Sequence, residues 1–262
     1  MSSLSKNSTR PWIALNMAMT ADGKTSGPQT EPKVSTPLSE GGSMSSFGSR
    51  RDQLRLFKIR ASMDAVMCGR KTIESAAIDM GPGLPRFCRW RKARGMEEYN
   101  RRIVVSASGE LNPASRVFEL DFSPILIATT RRGKSRCLPL FKERSWIKVM
   151  SFGEKEIDLQ KLMIWLHHRW GIQRMVLEGG GRLNDSMFRS HLVDEIFLTI
   201  CPLIYGGNSH STICDGLGFQ NLQSADSFQC IERCFAKGEA FLRFQRVQGD
   251  PDHPRHAEAL DT

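Results

Sequence analysis

The chain has 262 residues, of which 40% are hydrophobic, and this is enough for one sizeable core or two small ones. No apolar run reaches the ~18 residues of a membrane-spanning helix, and the seven scattered cysteines form no even-numbered pattern, so we expect neither a membrane protein nor a disulfide framework. The formal net charge of +9 is compatible with a nucleic-acid partner or with phosphorylated small-molecule ligands.

Both ends of the chain are polar and without periodicity. Residues 1–10 and 248–262 are predicted to be disordered tails around one domain at residues 11–247. The N-terminal tail lacks the apolar core of a signal peptide, so we expect a cytoplasmic location with the cysteines as reduced core thiols. The HAE motif at residues 256–258 matches half of a zinc deaminase signature that also requires P-C-x-x-C. We interpret this match as accidental and expect no metal site.

The first elements are predicted from local patterns. Residues 12–19 are an apolar run without alternation, which predicts a buried central strand. Residues 25–48 are rich in Gly, Ser, Pro and Thr and predict a long loop, a candidate lid over a binding site. Ser49 followed by Asp52 forms a capping-box pattern, which predicts a helix start and accounts for Asp52. A second strand is predicted at residues 64–69.

The rest of the chain alternates strands with helices. Further strands are predicted at residues 103–107, 125–129, 146–152, 174–178 and 195–201. A helix with a 3.6-residue apolar period follows Asp158 and ends at Gly171, and another is predicted at residues 182–191. Residues 228–235 and 240–247 are predicted to pair across a Lys-Gly turn. This order predicts an α/β fold with a mostly parallel central sheet, flanking helices and a C-terminal antiparallel hairpin.

Two stretches place glycine where an apolar strand runs into a helix. They are CGRKTIES at residues 68–75 and VLEGGGRLNDSMF at residues 176–188. Exposed N–H groups and the helix dipole favour an anion at such a junction. Gly179, Gly180 and Gly181 also let the backbone approach a pyrophosphate, although a plain tight turn uses triple glycine too. Two such junctions predict one long ligand with several phosphates, such as a dinucleotide.

Residues 86–102 (RFCRWRKARGMEEYNRR) carry six arginines and one lysine. We interpret this segment as a solvated loop, and a phosphate-attracting flap is the alternative. A basic, non-catalytic RNA-binding protein would also carry such a segment. Because no aromatic-interleaved recognition motif accompanies it, nucleic acid is not the partner that we expect.

Several motifs together resemble a known family. DAVMCGRKTIES at residues 64–75 is similar to the first phosphate-binding segment of dihydrofolate reductases. NMAMTADGK at 16–24, RRDQLRLFKIRASMDAVMCG at 50–69, and VLEGGGRLN with the later LVDEIFLTICPLIYGG at 192–207 resemble the riboflavin-biosynthesis reductase domain, over roughly residues 11–247. The resemblance implies a dihydrofolate-reductase-like fold and NADPH-dependent reduction of a phosphoribosylamino-pyrimidine to the ribitylamino-pyrimidine phosphate. A dihydrofolate or pterin reductase is the alternative in the same chemical class.

The resemblance also assigns a cofactor site. It places Ala18 beside the nicotinamide, Thr72 at the pyrophosphate and Arg70 at the 2′-phosphate that distinguishes NADPH from NADH. The second glycine junction completes the pyrophosphate site with Gly179, Gly180, Gly181, Arg182, Leu183 and Asn184. A guanidinium suits a phosphate because it donates two parallel charge-assisted hydrogen bonds. Arg131, Arg132 and Lys134 are alternatives for the 2′-phosphate, or else form a solvated turn.

The substrate residues are also assigned by resemblance. Glu178 is expected to bind the ribityl part, or else to accept hydrogen bonds from nearby backbone amides. Arg60 is expected to contact the substrate phosphate, or else to be a surface helix charge. Arg86 is a further candidate for the phosphate contact, and Arg50 and Arg51 are weaker candidates.

Two positions leave the chemistry open. Asn16 stands where many bacterial members carry lysine and where stand-alone archaeal and fungal members often carry asparagine, so either pyrimidine, before or after deamination, remains a candidate substrate. Asp52 lies near the position of the acid of dihydrofolate reductases, which makes it a candidate catalytic residue beside its capping role.

The resemblance further implies assembly and pathway partners. Family members pair as homodimers, and the apolar final strands would leave an edge that soluble proteins normally cover. A separate deaminase is expected to act in the same pathway.

Overall fold

The computed structural model describes residues 9–25, 48–75 and 78–247. Most of the predicted N-terminal tail, the C-terminal tail with its HAE motif, and most of the predicted lid loop lie outside the described residues. Within these ranges no helix has the length and apolar character needed to cross a membrane.

Nine strands in the described ranges form a single sheet. The strands are β1 Trp12–Thr20, β2 Ala65–Gly69, β3 Arg101–Val105, β4 Ile125–Thr129, β5 Ile147–Ser151, β6 Arg174–Leu177, β7 Glu195–Cys201, β8 Phe228–Ala236 and β9 Glu239–Arg246. The α-helices of the same ranges are α1 Arg50–Ala61, α2 Arg70–Ser75, α3 Pro85–Lys92, α4 Arg116–Glu119, α5 Arg131–Phe141, α6 Leu159–Trp170 and α7 Gly181–Arg189. A 3₁₀ turn lies at Leu222–Ser224.

The sheet order is β5-β4-β3-β2-β6-β1-β7-β9-β8. The seven strands from β5 to β7 are mutually parallel, whereas β9 runs antiparallel to both β7 and β8. The predicted α/β class, the parallel sheet and the C-terminal hairpin are therefore confirmed. The hairpin turns at Lys237 and Gly238, both with positive φ.

Two cores cover the two faces of the sheet. On one face, Ile13 and Leu15 pack against Leu162 and Leu166 of α6. On the other, which we call the α1 face, Ala14 and Val176 belong to the core that contains Ile59 of α1 and its neighbour Met63. Side chains alternate between faces along a strand, so β1 contributes to both cores. The central strand β2 is completely buried, as expected of a strand covered on both sides.

The helix ends follow the predicted capping signals where those signals are strong. Asp158 accepts a hydrogen bond from Lys161 N at the start of α6, and Gly171 ends that helix with φ +62°. Ser49 is the N-cap of α1. Helix α5 was not predicted from the sequence, because it contains Gly133 and Pro139, which lower helix propensity. Gly133 is nevertheless required, since a Cβ there would lie 2.0 Å from Thr129 Oγ1.

The interpretation of residues 86–102 as a solvated loop is wrong. The segment forms α3, a turn and the start of β3, and two of its arginines are buried. Arg91 donates to the carbonyls of Ala61 and Met63 at the end of α1, at 3.0 and 2.5 Å. Arg102 donates to Val117 O and Leu120 O at 2.9 and 2.7 Å. These guanidiniums donate hydrogen bonds to backbone carbonyls that would otherwise be buried without a partner.

The cysteines are all free, but not all of them are core thiols. Cys68, Cys88, Cys137 and Cys201 are buried, whereas Cys214, Cys230 and Cys234 are exposed. The expectation of core positions is therefore correct for four of the seven.

Candidate active site

The two glycine junctions lie side by side at the carboxyl ends of the parallel strands. Strands β2 and β6 are neighbours, which brings the starts of α2 and α7 together. Gly69 N donates to Gly179 O at 2.7 Å, and the Gly179–Gly180 peptide is cis. A Cβ on Gly180 would lie 3.3 Å from Thr72 Oγ1 and would meet nothing else within 4 Å. The first and second predicted phosphate segments are thus brought next to each other.

The N-terminus of α7 has the character of an anion site. Its N-cap, Gly180, offers no side-chain cap. Within the described ranges, the N–H groups of Gly181 and Arg182 have no hydrogen-bond acceptor. Asn184 is fully buried, and its Oδ1 has no donor among the described residues, although its Nδ2 donates to Ile213 O at 2.7 Å. Free N–H groups at the positive end of a helix dipole attract phosphate oxygens.

A strap formed by residues 202–218 covers one side of this helix start. Asp215 N donates to Gly181 O at 3.0 Å, and a Cβ on Gly181 would lie 2.6 Å from Asp215 Oδ2. Gly218 N donates to Asp185 Oδ1 at 2.8 Å. Asp215 was not predicted from the sequence, where nothing marks it as a neighbour of the glycines. Its position leaves the Thr72 side of Gly180 as the approach for a ligand.

The turn after β1 is tied to the same strap. Asp22 accepts hydrogen bonds from Thr20 Oγ1 at 2.5 Å, from Tyr205 N at 3.1 Å and from Gly206 N at 2.7 Å. These bonds to Thr20 and to the two amides lower the pKa of Asp22 to about 2. The motifs TADGK and PLIYGG therefore meet through one carboxylate, and Asp22 has a structural function in this turn.

Arg70 borders an open cleft of about 430 Å³ beside α5. Its Nη1 donates to Glu110 O at 3.2 Å and lies 3.8 Å from Glu74 Oε2. Arg136 of α5 lines the same cleft and pairs with the Glu110 carboxylate. Arg131, the predicted alternative, lies in the first turn of α5 and not in a solvated turn, and it pairs with Glu154 at 2.7 Å.

A row of polar side chains crosses the α1 face. Leu15 of β1 pairs with Leu177 of β6, so the next residues along, Asn16 and Glu178, stand side by side. Glu178 is fully buried, and its carboxylate is bound by Arg60, with Nε to Oε1 and Nη2 to Oε2 both at 2.7 Å. Arg60 Nη1 also donates to Gly81 O at 2.9 Å.

The Arg60–Glu178 pair excludes the second interpretation given above for each of the two residues. Arg60 is 0% exposed and is not a surface helix charge, and Glu178 binds a guanidinium and not backbone amides. Burial opposes the charge on Arg60, but the carboxylate of Glu178 raises its pKa above the usual value. Burial and Glu178 together raise the pKa of the neighbouring Cys68 thiol. The charges of the pair compensate each other.

The interpretation of Asp52 as the capping-box partner of Ser49 is wrong. Ser49 Oγ accepts from Asp52 N at 3.2 Å, but Ser49 N donates to Glu239 Oε1 at 3.1 Å. The carboxyl of Asp52 lies near the Thr199 hydroxyl instead. Thr199 of β7 pairs with Ala18 of β1, which places Asp52 beside the predicted nicotinamide contact. Burial is the main cause that raises the pKa of Asp52, and the charge of Glu239 adds to it.

Sequence reasoning missed three neighbours of Asp52. Arg55 Nη1 donates to Thr199 Oγ1 at 3.2 Å, and Arg55 Nη2 donates to Leu242 O at 2.7 Å. Arg55 lies one helical turn after Asp52, a spacing that could have marked it. Thr199 and Glu239 are distant in sequence, and only the strand pairing brings them to α1.

The remaining phosphate candidates lie apart from this row. Arg86 is exposed at the start of α3, with its guanidinium 5.0 Å from the Phe87 ring. In the described structure it makes no hydrogen bond or ion pair with Asn16, Arg60 or Glu178. Arg50 and Arg51 are exposed in the first turn of α1.

The chain is similar to several proteins with assigned names. The chain is 30% identical over 240 residues to the 2,5-diamino-6-ribosylamino-4(3H)-pyrimidinone 5′-phosphate reductase of Methanothermobacter thermautotrophicus, covering 92% of this chain and 100% of the relative. It is 28% identical to the protein of the same name from Archaeoglobus fulgidus, over 89% of this chain and all of that one. The riboflavin biosynthesis protein RibD of Chlamydia muridarum is 26% identical over 70% of this chain and 44% of its own length.

Solved structures share the fold. Acinetobacter baumannii RibD superposes with a TM-score of 0.69 at 15% identity, over 91% of this chain, which spans 58% of the RibD chain. The riboflavin biosynthesis reductase Rib7 of Saccharomyces cerevisiae superposes with a TM-score of 0.64 at 14% identity, over 93% of both chains. The sequence profile of the RibD C-terminal domain matches residues 11–235, and the chain therefore belongs to the RibD C-terminal domain family.

Proposed function

We propose that the protein is an NADPH-dependent reductase that converts a phosphoribosylamino-pyrimidine to the ribitylamino-pyrimidine phosphate in riboflavin biosynthesis. The observation that carries this proposal is the match of 92% of the chain to the whole of an archaeal reductase named for such a substrate. The joined glycine junctions and the polar row on the α1 face supply a cofactor site and a substrate site next to each other.

The residues present fit a dinucleotide. The free N–H groups of Gly181 and Arg182 and the unpartnered, buried Oδ1 of Asn184 would face the pyrophosphate, with Thr72 opposite. The adenosine end would extend toward Arg70 and the cleft beside it. The other end would reach Ala18, which shares the α1 face with Asn16. Bound NADPH supplies a hydride, and the chain supplies position and a water-poor environment.

The substrate would lie beside Asn16 and Ala18 of β1, which are only partly buried. The hydride goes to C1′ of the ring-opened ribose, where a C=N bond becomes CH–NH, so the nitrogen must also gain one proton. Asp52 is placed to deliver that proton, since its raised pKa keeps the acid form populated at higher pH than for a surface aspartate. Asn16 would orient the ribose chain, with Glu178 held beside it by Arg60.

The diamino form of the pyrimidine is the substrate that we favour. The two archaeal relatives that this chain matches over their whole length are both named for 2,5-diamino-6-ribosylamino-4(3H)-pyrimidinone 5′-phosphate. Reduction would then precede deamination, and a separate deaminase would act on the product.

Side-by-side turnover tests this assignment. NADPH oxidation is followed at equal concentrations of the 2,5-diamino-pyrimidinone and 5-aminouracil phosphoribosyl substrates and of dihydrofolate. We expect the diamino substrate to give the highest kcat/KM. Turnover of dihydrofolate alone would overturn the proposal, and turnover of the uracil alone would reverse the order of the two steps.

The cofactor cradle is tested by Gly180→Val. The added side chain would fill the space between Gly180 and Thr72, and Gly180 has φ −74°, which valine tolerates, so the variant should fold. We expect it to lose NADPH binding in a fluorescence titration while its circular dichroism is unchanged. If a folded Gly180→Val variant binds NADPH like the wild type, the pyrophosphate lies elsewhere.

We further propose a homodimer through the hairpin β8–β9. Strand β8 is the sheet edge, and Phe235 and Ile231 on it are 74% and 44% exposed. Phe241 of the same hairpin is buried in its own domain, so only part of the apolar edge needs a partner. Light scattering decides: a mass near 29.5 kDa at every concentration would exclude the dimer, and twice that mass would support it.

A further inference from the structure

Glu239 connects the start of the C-terminal hairpin to the start of α1. It is the first residue of β9 and is only 6% exposed. Its Oε1 accepts from Ser49 N at 3.1 Å and its Oε2 accepts from Ser49 Oγ at 2.5 Å. A buried carboxylate with two donors on one residue is a built contact, and it joins segments 190 residues apart in sequence.

This contact replaces a hydrogen bond that an acidic residue of α1 itself would accept in a capping box. In a capping box, the acidic residue of the first turn accepts from the N-cap backbone N–H. Here the N–H of Ser49 is occupied by Glu239, so the carboxyl of Asp52 is not held at the helix end. It lies near the Thr199 hydroxyl on the sheet. The hairpin therefore occupies the amide that the side chain of Asp52 would bind in a capping box.

The charges around Asp52 come from three elements. Glu239 of β9 faces it with a like charge, and Arg55 of its own helix faces it with an opposite charge. From β7 it faces the Thr199 hydroxyl and the Cys201 thiol, whose pKa is raised to about 12 by burial and by Glu239 and Asp52. The positive charge of Arg55 is shared with the carbonyls of Leu198 and Leu242. Like charge at short range favours the protonated form of a carboxyl.

We propose that Glu239 is a positioning residue, which holds Ser49 and thereby frees Asp52 to face the sheet beside Ala18 as a proton donor. The proposal rests on the proposed function of Asp52. It adds that the acid is set by the hairpin, an element that carries none of the predicted cofactor or substrate residues. Loss of the Glu239 charge should move the titration of Asp52 to lower pH.

The test compares Glu239→Gln with Glu232→Gln. Glutamine keeps an acceptor for Ser49 N and removes the charge, whereas Glu232 lies on the same hairpin, is exposed, and pairs with Arg243 at 3.6 Å. The proton donor is lost as pH rises through the pKa of Asp52, so kcat/KM should fall at lower pH in Glu239→Gln than in the wild type. Glu232→Gln should keep the wild-type midpoint. Glu239→Asp keeps the charge, so its midpoint should be close to that of the wild type.

A direct titration separates this proposal from the proposed function. The side-chain carboxyl ¹³C shift of Asp52 is followed against pH in the ligand-free wild type and in both glutamine variants. We expect a wild-type midpoint above that of a surface aspartate and a lower midpoint in Glu239→Gln alone. A surface-like midpoint in the wild type overturns the proposal even if the variant does not fold. Equal midpoints, or a uniform loss of activity with an unmoved pH profile, also overturn it. Absence of activity with every pyrimidine contradicts only the proposed function.

Discussion

Glu178 lies on the α1 face of the sheet and Asp52 lies in α1 itself, and their surroundings differ. Glu178 is 0% exposed and receives two hydrogen bonds from the Arg60 guanidinium. Asp52 has a like charge, Glu239, beside it, and the nearby Arg55 is engaged by Thr199 and two carbonyls. A carboxylate that receives two hydrogen bonds from one guanidinium is fixed in position, whereas burial and the like charge of Glu239 raise the pKa of Asp52. The same residue class thus gives an anchor at one end of the row and an acid at the other.

The largest expected effect is that of Asp52→Asn on catalysis. The amide keeps the shape but donates no proton to the nitrogen, so kcat should fall about 10²–10⁴-fold and the fall of the rate at high pH should disappear. Steady-state kinetics from pH 5 to 9 measure both. Asp121→Asn is the control, because Asp121 is exposed and distant in sequence from the site. An unchanged kcat would show that Asp52 is no more than a partly buried polar residue.

Glu178→Ala should affect stability more than any other change at the row. It leaves the Arg60 guanidinium buried without its counter-ion, which should lower the free energy of unfolding by about 3–5 kcal/mol. Urea unfolding followed by circular dichroism measures the loss. The double variant Glu178→Leu with Arg60→Met removes both charges and should lose less than the single variant. A double variant that is less stable than Glu178→Ala would contradict the assignment of the pair as mutually compensating.

Arg70→Ala extends the comparison to a charge that is only partly exposed. Loss of a charge-assisted contact to the 2′-phosphate should weaken NADPH binding by about 1.5–3 kcal/mol and NADH binding far less. Arg131→Ala is the matched control, since Arg131 is exposed and pairs with Glu154. Titration of both cofactors with both variants gives the four constants. Equal losses for NADPH and NADH in Arg70→Ala would move the 2′-phosphate site to another cation.

Ser49→Ala is expected to have the smallest effect. Ser49 Oγ accepts from the amides of Arg51 and Asp52, and loss of an N-cap hydroxyl costs about 1 kcal/mol of stability. Ser135→Ala, an exposed serine inside α5, should cause no loss. Thermal unfolding compares the two variants. If Ser49→Ala is as stable as the wild type, Glu239 alone holds the start of α1.

The sequence predicted the elements that have strong local signals. The parallel strands, the α6 caps and the C-terminal hairpin follow from apolar runs, Asp158, Gly171 and the Lys-Gly turn, all of which act within a few residues. Helix α5 was missed because Gly133 and Pro139 oppose a helix locally, and tertiary contacts at Gly133 override that preference.

In the candidate site too, the features with local signals were predicted and those that depend on distant residues were not. The glycine junctions were recognisable because each is continuous in sequence. The roles of Glu178 and Asp52 were not, because their partners Arg60 and Glu239 are brought to them by the packing of α1 and by the antiparallel end of the sheet. A capping-box pattern specifies an acceptor for the N-cap amide but not which residue provides it. In this chain the hairpin provides it.

The buried arginines Arg91 and Arg102 have a consequence for how the chain presents itself to ligands. Each guanidinium supplies several N–H groups to carbonyls of irregular segments, and burial lowers the pKa of Arg102 to about 10. A lysine has its three donors on one atom and cannot reach the same set of acceptors. Part of the +9 formal charge therefore belongs to buried side chains with a structural role, and an approaching polyanion makes little contact with it. An ion-exchange column would sense a less basic surface than the composition implies.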